Sequence, residues 1–225
     1  MTVPLRTRHE QAYERLREDI LGGRLQPGQK LRFAELGATY DASVGSLREA
    51  LSRLVEQGLV RSEPRRGFRV TPITETGLKN LTAARREIEV AVLRHAIEEG
   101  DLTWESELLA AHHRLASTPM LTAEDPPVMS DEWAQAHADF HEALLAGCAN
   151  PLLVGIAHDL RAPAELYQRL SVPLGQGRER NVGAEHREIM AAALARDAAR
   201  ACELLDTHIS RTTDILLASG LVADD

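Results

Sequence analysis

The stretch ELGATYDASVGSLREALSRLVEQGL, residues 35–59, decides the fold of the N-terminal part of this chain. Two short helical patterns, Phe33 to Thr39 and Ser43 to Gln57, flank the turn-forming triplet Tyr40-Asp41-Ala42. A serine at the start of the second pattern can cap the exposed amides of a helix. Apolar residues of that helix recur at three- and four-residue steps and predict one buried stripe; they are Leu47, Ala50, Leu51, Leu54 and Val55. The pattern predicts a helix-turn-helix.

The second helix of this motif turns small, hydroxylated and arginine side chains outward. Such side chains let a helix come close to a DNA major groove and let a guanidinium bind guanine or phosphate. An ordinary surface helix is the alternative. We predict that the residues of this helix that contact DNA are Ser43, Val44, Gly45, Ser46, Arg48 and Arg53.

A basic turn, Pro64-Arg65-Arg66-Gly67, lies between the strand-like runs Leu59 to Ser62 and Phe68 to Thr71. A helix-turn-helix followed by such a hairpin is a winged helix-turn-helix. The tip of a basic wing can reach an adjacent minor groove or phosphate, whereas a purely structural hairpin needs no pair of adjacent arginines. Arg65, Arg66 and Gly67 therefore join the predicted DNA-contacting set.

Charge divides the chain near Pro72. Residues 1–72 contain 13 Lys+Arg against 9 Asp+Glu, a net charge of +4, while residues 73–225 contain 13 against 25, a net charge of −12. The basic part is the one suited to meet phosphate. Beyond Thr71 the apolar periodicity is wholly helical. We therefore predict a mainly α protein, with an N-terminal winged helix-turn-helix over residues 1–72 and a C-terminal all-α helical bundle over residues 73–225.

The N-terminal segment MTVPLRTRHE lacks the apolar core of a signal peptide, and no apolar run of the sequence is long enough to span a bilayer. We therefore expect a cytoplasmic protein with no membrane partner. The two cysteines, Cys148 and Cys202, are too few for a disulfide scaffold in a chain of this length and fall in helical patterns as small apolar residues.

Four of the nine histidines have informative spacing. His137 and His141 stand four residues apart, so they share one face of a helix about one turn apart, as two ligands of one metal ion would. His186 and His208 lie on the last two helices, at equal distances from the expected turn Arg196-Asp197. If those helices form an antiparallel hairpin, the two imidazoles come level with each other. We interpret the four as a metal site; the alternative is that each is an ordinary core histidine.

Three segments of the N-terminal part resemble the GntR family of bacterial transcription regulators: YERLREDILGGRLQPGQKL, LREALSRLVEQGLV and RRGFRV, at residues 13–31, 47–60 and 65–70. The family's recognition segment usually reads Gly-Val-Ser-Arg-x-Pro-Val-Arg-Glu-Ala-Leu. Ser43, Arg48 and Glu49 agree with it, whereas Val44 replaces the family arginine and Ser46 its proline. A valine can contact a thymine methyl group, so these changes predict an altered base preference and retained DNA binding.

The second part of the chain resembles the C-terminal ligand-binding domain of the FadR subfamily, the FCD domain, in residues 83–97, 139–153 and 185–209. In metal-containing members of that family an aspartate four residues before a histidine joins that histidine and two later ones. The resemblance places these ligands on His137, His141, His186 and His208, with His137 at the aspartate position. An all-imidazole site should favour Zn, Ni or Cu over Mg or Ca.

The same resemblance places Arg85 in the effector cavity, where a guanidinium can bind a carboxylate with two hydrogen bonds. The alternative for Arg85 is a surface ion pair with Glu89, four residues on.

These observations predict a transcription regulator that binds a palindromic operator in double-stranded DNA as a homodimer, since a twofold protein matches twofold DNA. The resemblance implies that a small carboxylate metabolite binds at the metal and changes DNA binding. We expect the metal to be Zn, with Ni as the second candidate. One alternative is the same regulator with a metal-free pocket for an acyl ligand. Another is a metal-dependent hydrolase joined to a DNA-binding head. A pyridoxal-phosphate enzyme would need a lysine for its Schiff base, but Lys30 and Lys79 are the only lysines; Lys30 belongs to the winged part and Lys79 lies near the linker, which excludes that class of enzyme.

Overall fold

The computed structural model describes residues 8–123, 127–174, 180–219 and 222. The chain divides into two compact units, of which the first ends at Ile73 and the second begins at Thr74. Within the described residues, no helix is both long and apolar enough to cross a membrane.

The first unit contains three helices and a small antiparallel sheet in its described part. The helices are α1 (Arg8–Leu21), α2 (Phe33–Tyr40) and α3 (Val44–Glu56), and the strands are β1 (Lys30–Leu31), β2 (Val60–Glu63) and β3 (Gly67–Val70), in the order β1-β3-β2. The winged helix-turn-helix is thereby confirmed. The sequence does not predict β1, because two residues are too few to show the alternation of a strand.

The start of α3 depends on two local features. Asp41 takes a left-handed conformation with φ 49°, which ends α2, and the Ser43 side chain accepts a hydrogen bond from the Ser46 amide at 3.2 Å. The buried stripe of α3 packs against α1; its fully buried members include Leu47, Leu51 and Leu54, opposite Leu16 and Ile20. Val55, expected in the stripe, is only half-buried, because it lies at the edge of that face.

The second unit is helical throughout its described residues, apart from an isolated bridge between Leu121 and Met129. Its helices are α4 (Glu75–Glu99), α5 (Leu102–Ser117), α6 (Asp131–Leu145), α7 (Pro151–Leu174), α8 (Val182–Leu194) and α9 (Ala198–Leu217). The mainly α fold class is confirmed. Each described N-cap of α4, α5, α6, α8 and α9 is a threonine, aspartate, serine or asparagine that accepts a backbone hydrogen bond.

The last two helices form the expected antiparallel hairpin. Arg196 turns the chain with φ 59°, and Asp197 caps α9 by accepting from the Arg200 amide at 3.0 Å. The hairpin packs on α4 and α5, and its apolar face joins a core that includes Phe140, Leu144 and Ile189, each fully buried. The core therefore fixes α6, α8 and α9, which are the helices that carry the four histidines.

Candidate metal centre and nucleic-acid interface

The outer face of α3 carries most of the predicted DNA-contacting residues. Val44 is 54% exposed, and Gly45, Arg48 and Arg53 are exposed as well. The hydroxyls of Ser43 and Ser46 lie 3.0 Å apart and bind each other. The start of α3 therefore presents small and apolar groups that a major groove can approach closely.

The two arginines of α3 differ in their surroundings. The guanidinium carbon of Arg53 lies 3.9 Å from the ring centre of Tyr13, so this side chain also braces α3 against α1. The guanidinium carbon of Arg48 lies 5.5 Å from the ring centre of Phe33, which in turn meets Phe68 of β3 edge-to-face at 6.0 Å. The Phe33–Phe68 pair therefore connects Arg48 of α3 with strand β3 of the wing.

The wing tip is a tight turn. The Arg66 amide donates to the Glu63 carbonyl at 3.0 Å across Pro64 and Arg65, and Arg65 has φ 62°, as the third position of a type II turn requires. Gly67 follows with φ 93°. Both Arg65 and Arg66 are exposed at the tip. The structure thus places the two arginines where a minor groove or phosphate can reach them.

Further basic residues, not predicted from the sequence, lie side by side across the sheet of the wing. Arg69 of β3 is directly opposite both Arg61 of β2 and Lys30 of β1. Glu63 pairs with Arg69 at 2.9 Å and offsets part of this charge. These three basic residues add positive potential to the sheet. Because like charges opposite one another weaken a sheet, they also lower its stability. This arrangement depends on the pairing of β1 with β3, which only the structure shows.

The four histidines singled out by their spacing come together inside the second unit. Their candidate ligand atoms all lie within 4.8 Å of one another. The ring centres of His137 and His141, one turn apart on α6, are 4.6 Å apart, and those of His186 on α8 and His208 on α9 are 4.7 Å apart. We call these four residues the histidine cluster. His137 and His141 are paired along one helix, and His186 and His208 are paired across the hairpin of α8 and α9.

The histidine cluster is buried, with 1–5% of each residue exposed. Both ring nitrogens of His141 and Nε2 of His186 have no hydrogen-bond partner within the described part of the chain. Such an unpaired buried polar atom costs roughly 1–3 kcal/mol, so a ligand that binds these nitrogens would remove a penalty. Burial lowers the pKa of all four imidazoles, and their mutual repulsion lowers it further for His137, His141 and His186. Burial therefore favours the neutral form of these imidazoles, which is the form that binds metal.

A second layer of side chains surrounds the histidine cluster. His208 Nδ1 is 2.7 Å from a carboxylate oxygen of Glu185, and the Trp133 ring stacks on His137 with ring centres 4.8 Å apart. Burial opposes ionisation of Glu185, but hydrogen bonds with His208 and Arg180 outweigh it and hold the pKa of this carboxyl well below its usual value. Sequence spacing does not indicate Glu185 or Trp133, although both lie within four residues of a cluster histidine.

The cluster fits a transition metal by the nature of its donors. Four neutral imidazoles suit Zn, Ni or Cu, whereas Mg and Ca prefer oxygen ligands. The nitrogens of four imidazoles around one zinc ion lie about 3.4 Å apart. Because the candidate ligand atoms already lie within 4.8 Å, small movements of the side chains would bring them to that spacing.

Arg85, the predicted effector-binding residue, is 5% exposed, and its Nε donates to Glu89 Oε1 at 2.6 Å. The ion pair with Glu89 is therefore present, but it is not at the surface, because both side chains lie in the bundle interior. Glu89 is fully buried and its Oε2 has no partner among the described residues. Opening this pair would release a guanidinium inside the bundle.

A second arginine, Arg161 of α7, also lies near the histidine cluster and was not predicted. Its Nη2 donates to the Ala138 carbonyl at 3.2 Å, while its Nε is buried and has no partner in the described ranges. Burial lowers the pKa of Arg161 to about 10, with Arg85 acting in the same direction and Glu89 against it. Its charge also lowers the pKa of His141. Arg85 and Arg161 thus place two guanidiniums near the cluster, and Glu89 forms its ion pair with Arg85.

The acidic residues nearest the histidines of α6 point away from the cluster. Glu142 is exposed and lies 3.8 Å from His158, and Asp139 accepts from Gln135 at 2.8 Å. Neither is placed to activate a water molecule at the cluster, which counts against the hydrolase alternative.

Comparison with known protein families gives two matches that together cover most of the chain. Residues 8–70 match the model described as "Bacterial regulatory proteins, gntR family", and residues 80–211 match the FCD domain.

Two relatives are similar to this chain over most of their length. One is the "Uncharacterized HTH-type transcriptional regulator BphR" of Paraburkholderia xenovorans, 38% identical over 95% of this chain and 86% of the relative. The other is the "HTH-type transcriptional repressor GlaR" of Escherichia coli, 36% identical over 88% of this chain and 90% of the relative.

Solved structures share the fold. The E. coli protein McbR/YncC superposes with a TM-score of 0.68 at 20% identity, over 95% of this chain and 99% of that one. A putative GntR regulator from Rhodococcus sp. RHA1 superposes with a TM-score of 0.67 at 25% identity, over 94% and 98%. The similarity therefore extends across both units.

Proposed function

Because this chain belongs to the GntR family of bacterial regulatory proteins and carries an FCD domain, it is a DNA-binding transcriptional regulator, and we propose that a metal-bound carboxylate controls it. The matched families and relatives are transcriptional regulators and not enzymes. The observation that carries the proposal is the convergence of four buried histidines, two of which, His141 and His186, have ring nitrogens without a hydrogen-bond partner among the described residues.

We propose that the winged unit binds a partly palindromic operator as a homodimer. The exposed side of α3 would enter the major groove, with Arg48 reading a base, while Arg65 and Arg66 contact phosphate or the minor groove. The net charge of +4 on residues 1–72 supports this assignment. Since such operator DNA lies in the cytoplasm, we propose that location for the protein.

In the second unit, His137, His141, His186 and His208 would hold the metal, zinc in the first place and nickel in the second. A metal that accepts more than four ligands supplies a Lewis-acid position for a carboxylate oxygen. Arg85 and Arg161 favour an anion in the same interior, since the Arg161 Nε has no hydrogen-bond partner among the described residues and Glu89 forms its ion pair with Arg85. These two guanidiniums support a small carboxylate as the effector.

The effector controls DNA binding if it binds one state of the regulator more tightly than another. The coupling between effector and DNA is reciprocal, so operator DNA changes the affinity for the effector by the same factor as the effector changes the affinity for DNA. Titrating small carboxylates into an operator-binding assay, with metal-loaded and with chelated protein, tests this coupling. An effector response that persists without metal would favour the metal-free acyl pocket.

Metal content tests the site directly. We expect protein purified without a histidine tag to contain about one equivalent of a transition metal per chain, and we expect His141→Ala and His186→Ala to lose it, because each removes a buried donor. Elemental mass spectrometry measures both. His113→Ala, which replaces an exposed histidine of α5, is the matched control and should retain the metal. A wild type that takes up no metal after incubation with Zn or Ni would contradict the proposal and leave the DNA-binding assignment intact.

A further inference from the structure

Glu185 is the carboxylate in direct contact with the histidine cluster. It lies on α8 beside His186, is 9% exposed, and receives hydrogen bonds from three side chains. His208 donates through Nδ1 at 2.7 Å, and Arg211 donates through Nη1 at 2.7 Å. Arg180 donates through both Nε and Nη2, at 3.1 and 3.0 Å. No comparison or sequence pattern assigns it a role.

We propose that Glu185 is the positioning residue of the histidine cluster: it keeps the proton of His208 on Nδ1, so that the Nε2 lone pair faces the other three imidazoles. The geometry leads to this assignment because a neutral imidazole carries one proton, and an ionised carboxylate can only accept it. With Nδ1 committed to Glu185, Nε2 is the nitrogen left to bind a metal ion. The consequence for metal affinity rests on the proposed function, whereas the consequence for the tautomer does not.

The charge of Glu185 gives it a second effect. Four neutral imidazoles bring no negative charge to a dication. The Glu185 carboxylate, although Arg180 and Arg211 also bind it, makes the imidazole to which it is hydrogen-bonded more basic. Outer partners of this kind change metal affinity by about 10–100-fold when they are removed. A glutamine at the same position would keep an acceptor oxygen and lose the charge.

Arg180 and Arg211 hold the carboxylate in place. Arg180 is 11% exposed at its side chain and also donates to the His208 carbonyl and to Thr212 Oγ1, each at 3.3 Å. It therefore ties Glu185 to the α9 turn that carries His208. Arg211 approaches the other carboxylate oxygen and is half exposed. The carboxylate is thus held between two helices before any metal arrives, which reduces the ordering cost of binding.

The test begins with the chelated protein. Long-range ¹H–¹⁵N NMR of the imidazoles should show His208 protonated on Nδ1 in the wild type and in Glu185→Gln, and shifted toward Nε2 protonation in Glu185→Ala. The exposed Glu188 of the same helix provides the control, since Glu188→Gln should leave the His208 signals unchanged. His208 protonated on Nε2 in the wild type, or a tautomer that does not respond to Glu185→Ala, would overturn the assignment.

The second effect, that of the Glu185 charge on metal affinity, is tested by letting the protein compete for zinc with a chromophoric chelator. We expect Glu185→Ala to weaken zinc binding by about 10–100-fold and Glu185→Gln by less, while Glu188→Gln matches the wild type. Circular dichroism of each chelated variant identifies loss of folding, in which case Glu185→Gln alone decides the result. A shifted tautomer with unchanged zinc affinity would refute the effect on metal. A wild type that binds no zinc but shows the tautomer response would refute the proposed metal function and keep the positioning role.

Discussion

Acidification of the metal-free protein should destabilise the second unit steeply between pH 7.0 and pH 5.5. Burial lowers the pKa of His137, His141 and His186 well below the ordinary value of 6.5, so in the folded state these imidazoles stay neutral. In the unfolded chain they bind protons as the pH falls below about 6.5. Folding stability is therefore complete above that pH and is lost as the pH falls, because the unfolded state binds more protons.

The size of the effect follows from proton linkage. One imidazole that titrates near 6.5 when unfolded and stays neutral when folded costs about 1 kcal/mol between pH 7.0 and pH 5.5. Three such residues give a loss of about 3–4 kcal/mol. His208 adds less, since burial lowers its pKa but the hydrogen bond to Glu185 acts in the opposite direction. A loss of this size is a large fraction of the stability of an ordinary domain.

Tryptophan fluorescence is a suitable probe, because the two tryptophans of the chain, Trp104 and Trp133, both lie in the second unit. Urea unfolding of the full chain with chelator present, at pH 7.0 and pH 5.5, gives the two free energies of unfolding. His141→Gln should reduce the difference by about 1 kcal/mol. His113→Gln replaces an exposed imidazole outside the cluster and should retain the wild-type difference. Stability that is flat or rises on acidification would refute the reasoning.

Two predictions concern DNA binding. Arg48→Ala should weaken operator binding by about 1–3 kcal/mol and relax preference at one base pair, measured by fluorescence anisotropy on a set of operator variants; equal losses on every sequence would make Arg48 a phosphate contact. Replacing Arg65 and Arg66 together by alanine should reduce the slope of log K against log salt by about two, since each phosphate contact releases counterions. An unchanged slope would show that the wing does not touch the backbone, and the exposed Arg114→Ala of α5 is a control expected to leave the slope as it is.

Local patterns were sufficient for much of this protein. The serine cap, the buried stripe of α3 and the basic hairpin each depend on residues close in sequence, so they predicted the winged helix-turn-helix that the structure confirms. The four histidines were also selected from spacing alone. A helix repeats every 3.6 residues and a hairpin is symmetric about its turn, so both pairs were fixed by counting residues. Their binding of a metal stays a prediction.

The partners of buried charges were decided by tertiary structure. The sequence offered a surface ion pair as one reading of Arg85, and only the packing of the bundle shows that the pair with Glu89 is buried. Arg161 has no helical spacing to the histidines, and the residues that fix Glu185 come from the segment before α8 and from α9. Side-chain contacts between distant elements depend on which helix faces meet, and that is set by the whole core. Sequence periodicity states which face is buried, whereas tertiary packing determines what that face touches.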